Sequence, residues 1–153
     1  MRKTYLLVVF LILQLAACQD KGIGADPLVI DDVRININSS GIGYHVIEET
    51  KLDSSNGLNY IVALSVTNEG IVPISFNEES FTLFNSKGEK MPSKTDFGVP
   101  SGAINLNAIT TTIAPGETKE IMLIYTVIEH GVYRFQIVSP KTGKDNWIEL
   151  PSS

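Results

Sequence analysis

Three side chains in this 153-residue sequence stand out for metal ligation or nucleophilic attack: Cys18, His45 and His130. His45 lies close to Glu48 and Glu49, and His130 follows Glu129. A mixed imidazole–carboxylate metal site would form only if distant strands brought these together. Metal sites need several converging ligands backed by an outer shell. The chain has no His-x-His, no cysteine pair and no His-Glu-x-x-His helix. The two histidines therefore read as surface residues beside turns. A softer copper set would have to recruit Met91 and Met122, which fit strand packing and gap filling better.

Asp31-Asp32 and Glu48-Glu49 invite a second chemistry, a general acid paired with a general base. Neighbours along a strand point to opposite faces, so neither doublet makes such a pair by itself. Solvated sheet faces account for both. Calcium would want an Asp-rich loop with ligands at fixed spacing, and none is present. Gly-x-Ser-x-Gly, P-loop and dinucleotide glycine patterns are also missing. The reading is thus of a protein that is not an enzyme, with no catalytic residue, no metal and no cofactor. Tyr60, Phe81, Tyr125, Tyr133, Phe135 and Trp147 sit at strand spacing and are expected in a core. Phe97, inside an irregular stretch, is the candidate for an exposed ligand contact.

Cys18 has a different setting. It closes the segment MRKTYLLVVFLILQLAACQD, in which Arg2 and Lys3 precede an apolar core and Leu15-Ala16-Ala17 supplies small residues before a cleavage point. The apolar stretch ends after roughly 14 positions, where about 20 are needed to span a bilayer. A cleaved signal peptide is the expectation for residues 1–17. Leu15-Ala16-Ala17-Cys18 also resembles the bacterial lipobox, Leu-Ala/Ser-Gly/Ala-Cys, in all four positions. That resemblance implies a diacylglyceryl group on the Cys18 thiol, cleavage between Ala17 and Cys18, and further palmitate-type acylation of the new amino terminus. One acyl chain binds a membrane only marginally and two hold firmly. Cys18 then becomes an anchor, and the protein is extracytoplasmic and tied to the cell membrane. In a Gram-negative cell, Gln19 lacks the aspartate that resembles the inner-membrane retention signal, which favours the outer membrane.

Removing residues 1–17 leaves ten basic residues against 17 acidic ones, a net charge of about −7. Nucleic-acid binding rests on clustered Lys and Arg, so nucleic acid is excluded as a partner. Attraction to anionic lipid heads is excluded on the same ground, leaving the lipid as the membrane link. About 136 residues remain, enough for one domain with its own core. With the sole cysteine lipidated, no disulfide staples that core.

The elements follow from hydrophobic period. Residues 18–27 are the lipidated cysteine and a short polar tether, whose nine residues from Gln19 reach at most about 30 Å. From Asp32 to Asn38, Val33, Ile35 and Ile37 share one face and polar residues the other, the mark of a half-buried strand. Ile42 to Leu52 leads to the Asn56-Gly57 turn. Tyr60 to Val66, Ser80 to Asn85, Ala108 to Ile113, Ile121 to Val127, Tyr133 to Ile137 and Trp147 to Leu150 continue the series. Ser86-Lys87-Gly88 and Ala114-Pro115-Gly116 are turn signals, the second fitting type II. A short return runs from Glu89 to Met91, and Ser93 to Leu106 is expected as a long loop. Eight or nine short strands without a long amphipathic helix predict an all-β antiparallel sandwich over residues 28–150.

Two blocks, Tyr60 to Pro92 and Thr112 to Ser139, resemble a bacterial family of uncharacterised telokin-like immunoglobulin-fold domains on secreted proteins and lipoproteins. The matching positions are Thr67-Asn68, Pro73-Ile74, Phe81-Thr82-Leu83, Gly88 and Pro115-Gly116-Glu117. The resemblance implies an immunoglobulin-like sandwich and an envelope location, and no activity. Gly88, Pro115-Gly116-Glu117 and Gly131-Val132-Tyr133 are also similar to the outline of the bacterial intracellular proteinase inhibitor family, from which the signal peptide departs. The expected function is a membrane-anchored, non-catalytic binding or structural module, with a protein partner in the cell envelope as a further expectation. Rival readings are a proteinase inhibitor and an envelope metal-binding protein. Loops at one end, Ser93 to Leu106 among them, would carry any partner site.

Overall fold

The computed structural model describes residues 26–43, 58–95, 101–107 and 109–151. These form ten strands and one 3-10 turn, two sheets facing one another plus a short two-stranded pair. The first sheet contains β1 (Leu28–Ile30), β2 (Val33–Ile42), β3 (Leu58–Asn68), β8 (Thr118–Val127) and β6 (Ala103–Asn105), in that order. The second runs β10 (Asp145–Pro151), β9 (Val132–Val138) and β5 (Phe81–Phe84). β4 (Ile74–Phe76) pairs with β7 (Thr111–Ile113). The all-β sandwich expected from the sequence is therefore the fold.

Alternation decides which side chains meet. On β3, Tyr60, Val62, Leu64 and Val66 are buried, as are Ile121, Leu123, Tyr125 and Val127 on β8, matching the period-two reading. The second sheet answers with Phe81, Leu83, Tyr133, Phe135 and Ile137. Aromatic rings join the layers. Phe81 stacks on Phe76 and Phe135 at centroid distances of 5.4 and 5.8 Å, and Tyr60 meets Tyr133 at 4.9 Å. The Tyr125 hydroxyl, fully buried, donates to the Phe81 carbonyl at 3.2 Å. Tyr133, near the start of β9, donates back to the Glu129 carbonyl. This is the corner bond by which immunoglobulin-like sandwiches fix the entry of a strand.

Several expectations are corrected. Asp31-Asp32 does not lie on a sheet face. Both residues have positive φ, 48° and 66°, and form the two-residue turn of the β1–β2 hairpin. A type I′ turn needs positive φ at both central positions, which aspartate tolerates better than most residues. The strand read as Asp32–Asn38 continues to Ile42 through a register shift between Ile37 and Ser39, because a bulge lets the backbone pass without ending the pairing. The rest of Ile42–Leu52 and the Asn56-Gly57 turn lie outside the described residues. Strand β5 starts at Phe81, since Glu78–Ser80 is a 3-10 turn, and β7 starts at Thr111. Glu89–Met91 returns through a single bridge, Phe84 with Lys90, and no strand.

Ser93–Leu106 is less irregular than expected. The Lys94 amide donates to Ile124 O, Ser93 bridges Tyr125, and β6 lies parallel to β8 from Ala103 opposite Glu120. The segment thereby covers an edge whose amides and carbonyls would otherwise stand open. The sandwich thus carries one parallel pairing in addition to its antiparallel ones. Trp147 is the other correction. Ile148 and Leu150 face inward on β10, so Trp147 points outward and is 43% exposed. It rests under the Arg134 guanidinium at 4.4 Å, with Phe84 at 5.3 Å.

Candidate functional site

A cleft of about 330 Å³ opens beside the 3-10 turn, between Asn77, Glu78 and Glu79 on one side and Leu106, Asn107, Ile109 and Thr110 on the other. A second cleft of about 170 Å³ shares Glu78 and Glu79 and continues past Thr82, Lys90 and Ser93. The turn exists because the strand pattern stops at Asn77. Its side-chain oxygen accepts from Glu79 N at 3.0 Å, and its own amide donates to Ser80 Oγ at 3.0 Å. This reciprocal capping box projects two adjacent carboxylates from a rigid base.

The opposite wall is held by asparagines. Asn107 is 2% exposed, and its Nδ2 donates to Lys94 O at 3.0 Å and Ile124 O at 2.9 Å. Its Oδ1 is buried without a hydrogen-bond partner. The Asn107 amide in turn donates to Asn105 Oδ1 at 3.1 Å. The cleft therefore sets the exposed Glu78 and Glu79 against a wall fixed by the buried Asn107 amide. None of Glu78, Glu79 and Asn107 is singled out by the sequence reading. The Asn77-x-x-Ser80 cap was the available signal, whereas Asn107 becomes a wall only through long-range pairing with β8.

A third cavity of about 330 Å³ lies over the outer side of the first sheet, lined by Ala63, Met122 and Ser101-Gly102-Ala103, with Glu120 at its rim. Glu120 is already engaged by Asn38 Nδ2 at 2.9 Å.

The sequence-derived candidates fare differently. Cys18, Ala17, His45, Glu48, Glu49 and Phe97 lie outside the described residues. His130 is exposed in the β8–β9 turn beside Glu129. Among the described residues no group of three or more His, Cys, Asp or Glu gathers as a metal set. Met91 is buried in the core, although it lies on no strand, and Met122 is buried on β8. Asp31 and Asp32 serve as a clasp. Asp31 accepts from Ser139 Oγ and from Thr142 Oγ1, the latter at 2.8 Å, while Lys141 Nζ reaches Asp32 Oδ2 at 2.8 Å. The Ser139 hydrogen bond, then that of Thr142, holds the Asp31 carboxyl below its ordinary range, with Lys141 and Lys144 assisting. Burial pushes the Tyr125 hydroxyl well above its usual range.

The turn positions shared with the inhibitor outline have structural work. Gly88 and Gly116 take φ of 81° and 76°, and Glu117 N donates to Ala114 O at 3.0 Å, closing the type II turn at Pro115-Gly116. Tyr133 makes the corner bond. All are accounted for by the sandwich itself.

Solved structures share this fold. The ycdA protein of Bacillus subtilis, a candidate lipoprotein, superposes with a TM-score of 0.63 at 19% identity, over 84% of this chain and 39% of that one. The yjhA protein of the same organism gives 0.60 at 17% identity, over 82% and 96%. An uncharacterised β-sandwich protein of Clostridium difficile gives 0.50 at 16% identity, over 82% and 89%. This chain thus spans only 39% of the length of ycdA. No curated protein matches the sequence. Residues 25–146 match a domain of unknown function, DUF4352. With nearly the whole sandwich covered by that match, the chain belongs to the DUF4352 family.

Proposed function

We propose that this protein is an exported lipoprotein, anchored through acyl chains on Cys18, whose sandwich acts as a non-catalytic binding or structural module at the cell envelope. The observation that carries the reading is Leu15-Ala16-Ala17-Cys18 at the end of a charged-then-apolar leader, followed within a short polar tether by β1 at Leu28. Family membership and the fold shared with ycdA, itself a candidate lipoprotein, support it. Two or more acyl chains, each buried methylene contributing about 0.8 kcal/mol, suffice to hold a protein of net negative charge at a membrane without basic residues. The sandwich would present its clefts and loops to envelope partners while the tether keeps it close to the bilayer.

The test is metabolic labelling with an alkyne fatty acid in bacteria expressing the full chain. Wild type should carry the label and fractionate with membranes, and Cys18→Ala should lose both properties. Equal labelling of the two proteins, or wild type found free in the cytosol, rejects the proposal.

A further inference from the structure

The turn that joins β3 to β4, residues 69–73, holds two apolar side chains in water. Ile71 is 92% exposed and Val72 49%. The backbone beneath them is fixed. Asn68 Nδ2 donates to Val72 O at 2.8 Å, Gly70 N to Asn68 Oδ1 at 2.9 Å, and Glu69 N to Asp32 O at 2.8 Å. A Cβ at Gly70 would meet Asn68 Oδ1 at 3.2 Å and Lys141 Nζ at 3.4 Å, so the turn is packed onto its base. A loose loop could fold an isoleucine back onto the core, whereas this one keeps it outside. Val29, 52% exposed, belongs to the same end: it lies opposite Arg34, whose Nε donates to Glu69 at 2.6 Å.

We propose that this end of the sandwich docks on the bilayer that holds the protein, with Ile71 and Val72 entering the lipid interface. The inference rests on the Cys18 anchor proposed above. Leu28, where the tether meets β1, lies opposite Ile35, two residues from the end of β2 that pairs with Asn68 and seven from the other. Nine tether residues span at most about 30 Å, which keeps that end within reach of the surface. The acids around the turn do not oppose the approach. Glu69, Glu117 and Asp32 are each paired with a cation, Arg34 at 2.6 Å, Lys119 at 3.6 Å and Lys141 at 2.8 Å. Lys and Arg can lay their stems along apolar surface and keep their charges in water. Docking takes apolar area out of water, so it needs no net positive charge, and the acyl chains keep the surface at hand.

The test uses the lipoprotein made from the full chain in bacteria, extracted in detergent and reconstituted in vesicles of phosphatidylethanolamine and phosphatidylglycerol. Acylation occupies the one native thiol, so Ile71→Cys and Ile128→Cys each offer a single site for a maleimide NBD probe. Ile128 is 74% exposed and lies past the far end of β8, a ten-residue strand of roughly 30 Å. The probe at position 71 should emit to the blue and lose most of its fluorescence when the lipids carry a nitroxide near the headgroup. The probe at position 128 should be unaffected, and adding Val72→Asp should remove most of the quenching at position 71. Equal quenching at both positions, none at position 71, or quenching indifferent to Val72→Asp overturns the docking. A blue shift without quenching also overturns it, because another copy of the chain would then cover the turn. Wild type that itself takes up the probe has a bare Cys18, which rejects the anchor and the docking with it. Unlabelled wild type without quenching at position 71 rejects the docking alone.

Discussion

Asn68 shows how much one polar side chain can organise. It is fully buried, donates to Val72 O at 2.8 Å and Ile113 O at 3.0 Å, and accepts from Gly70 N at 2.9 Å. One amide thereby ties the end of β3 to the turn before β4 and to the end of β7. Asn68→Ala would leave the Ile113 carbonyl unpaired in the interior and release the part-buried Val72 carbonyl and Gly70 amide, so a loss of about 1–3 kcal/mol is expected in chemical denaturation, the cost of one unpaired buried group. An unchanged midpoint would refute this role. Asp31 supplies the pH dependence. Its carboxyl titrates lower in the folded protein than in the unfolded chain, chiefly through Ser139 and then Thr142. The stability it contributes is therefore complete above the unfolded value, about 3.9, and disappears as pH falls through the folded value. Wild type should lose stability as pH falls below about 4, and Asp31→Asn should show a flatter profile there. Superimposable profiles would mean that the clasp contributes nothing.

At the level of elements, register separates residues that look alike in the sequence. Phe135 and Trp147 both sit on strands of the second sheet, yet Phe135 is fully buried among Phe81 and Tyr125 while Trp147 stands outside under Arg134. Phe135→Ala should cost about 3–5 kcal/mol through lost burial and a cavity. Trp147→Ala should cost only about 1 kcal/mol, the worth of an exposed cation–π contact. Equal losses in thermal or urea melts would contradict the assigned register. Part of the outer face of the first sheet is organised differently, by short polar side chains. Thr67 and Thr118 hydroxyls meet at 2.7 Å, and Asn38 reaches Glu120. Such cross-strand pairs stabilise the sheet.

For the whole molecule, pairing across long stretches of chain dominates. β3 and β8 meet with Thr67 opposite Thr118, and the Asp31 turn is clasped by Ser139, 108 residues on. Folds built on such distant pairings close large loops before contacts reward them, so refolding is expected in milliseconds to seconds. Stopped-flow fluorescence of Trp147 can follow it, and a microsecond phase carrying the full amplitude would be inconsistent. The chain has one cysteine, so no internal disulfide can form and the core must hold by burial alone. The melting midpoint should be the same with and without reductant.

Some of this was legible in the residues and some was not, for identifiable reasons. Period-two alternation marked β3, β8 and β9 directly, because a side chain's face on a strand depends only on its parity. Gly88 and Pro115-Gly116 marked turns because positive φ and a fixed proline φ are local demands. The leader ending in Cys18 is likewise a linear signal. Tertiary structure alone decided that Asp31-Asp32 forms a hairpin turn, that Trp147 faces outward and that part of Ser93–Leu106 pairs with β8. Each depends on which strand lies alongside, and that choice is made between segments far apart in the chain. The cleft belongs to the same class: Leu106-Asn107 and Ile109-Thr110 line it together with Glu78 and Glu79 only because pairing between distant segments brings them beside the 3-10 turn, a separation that no local pattern spans.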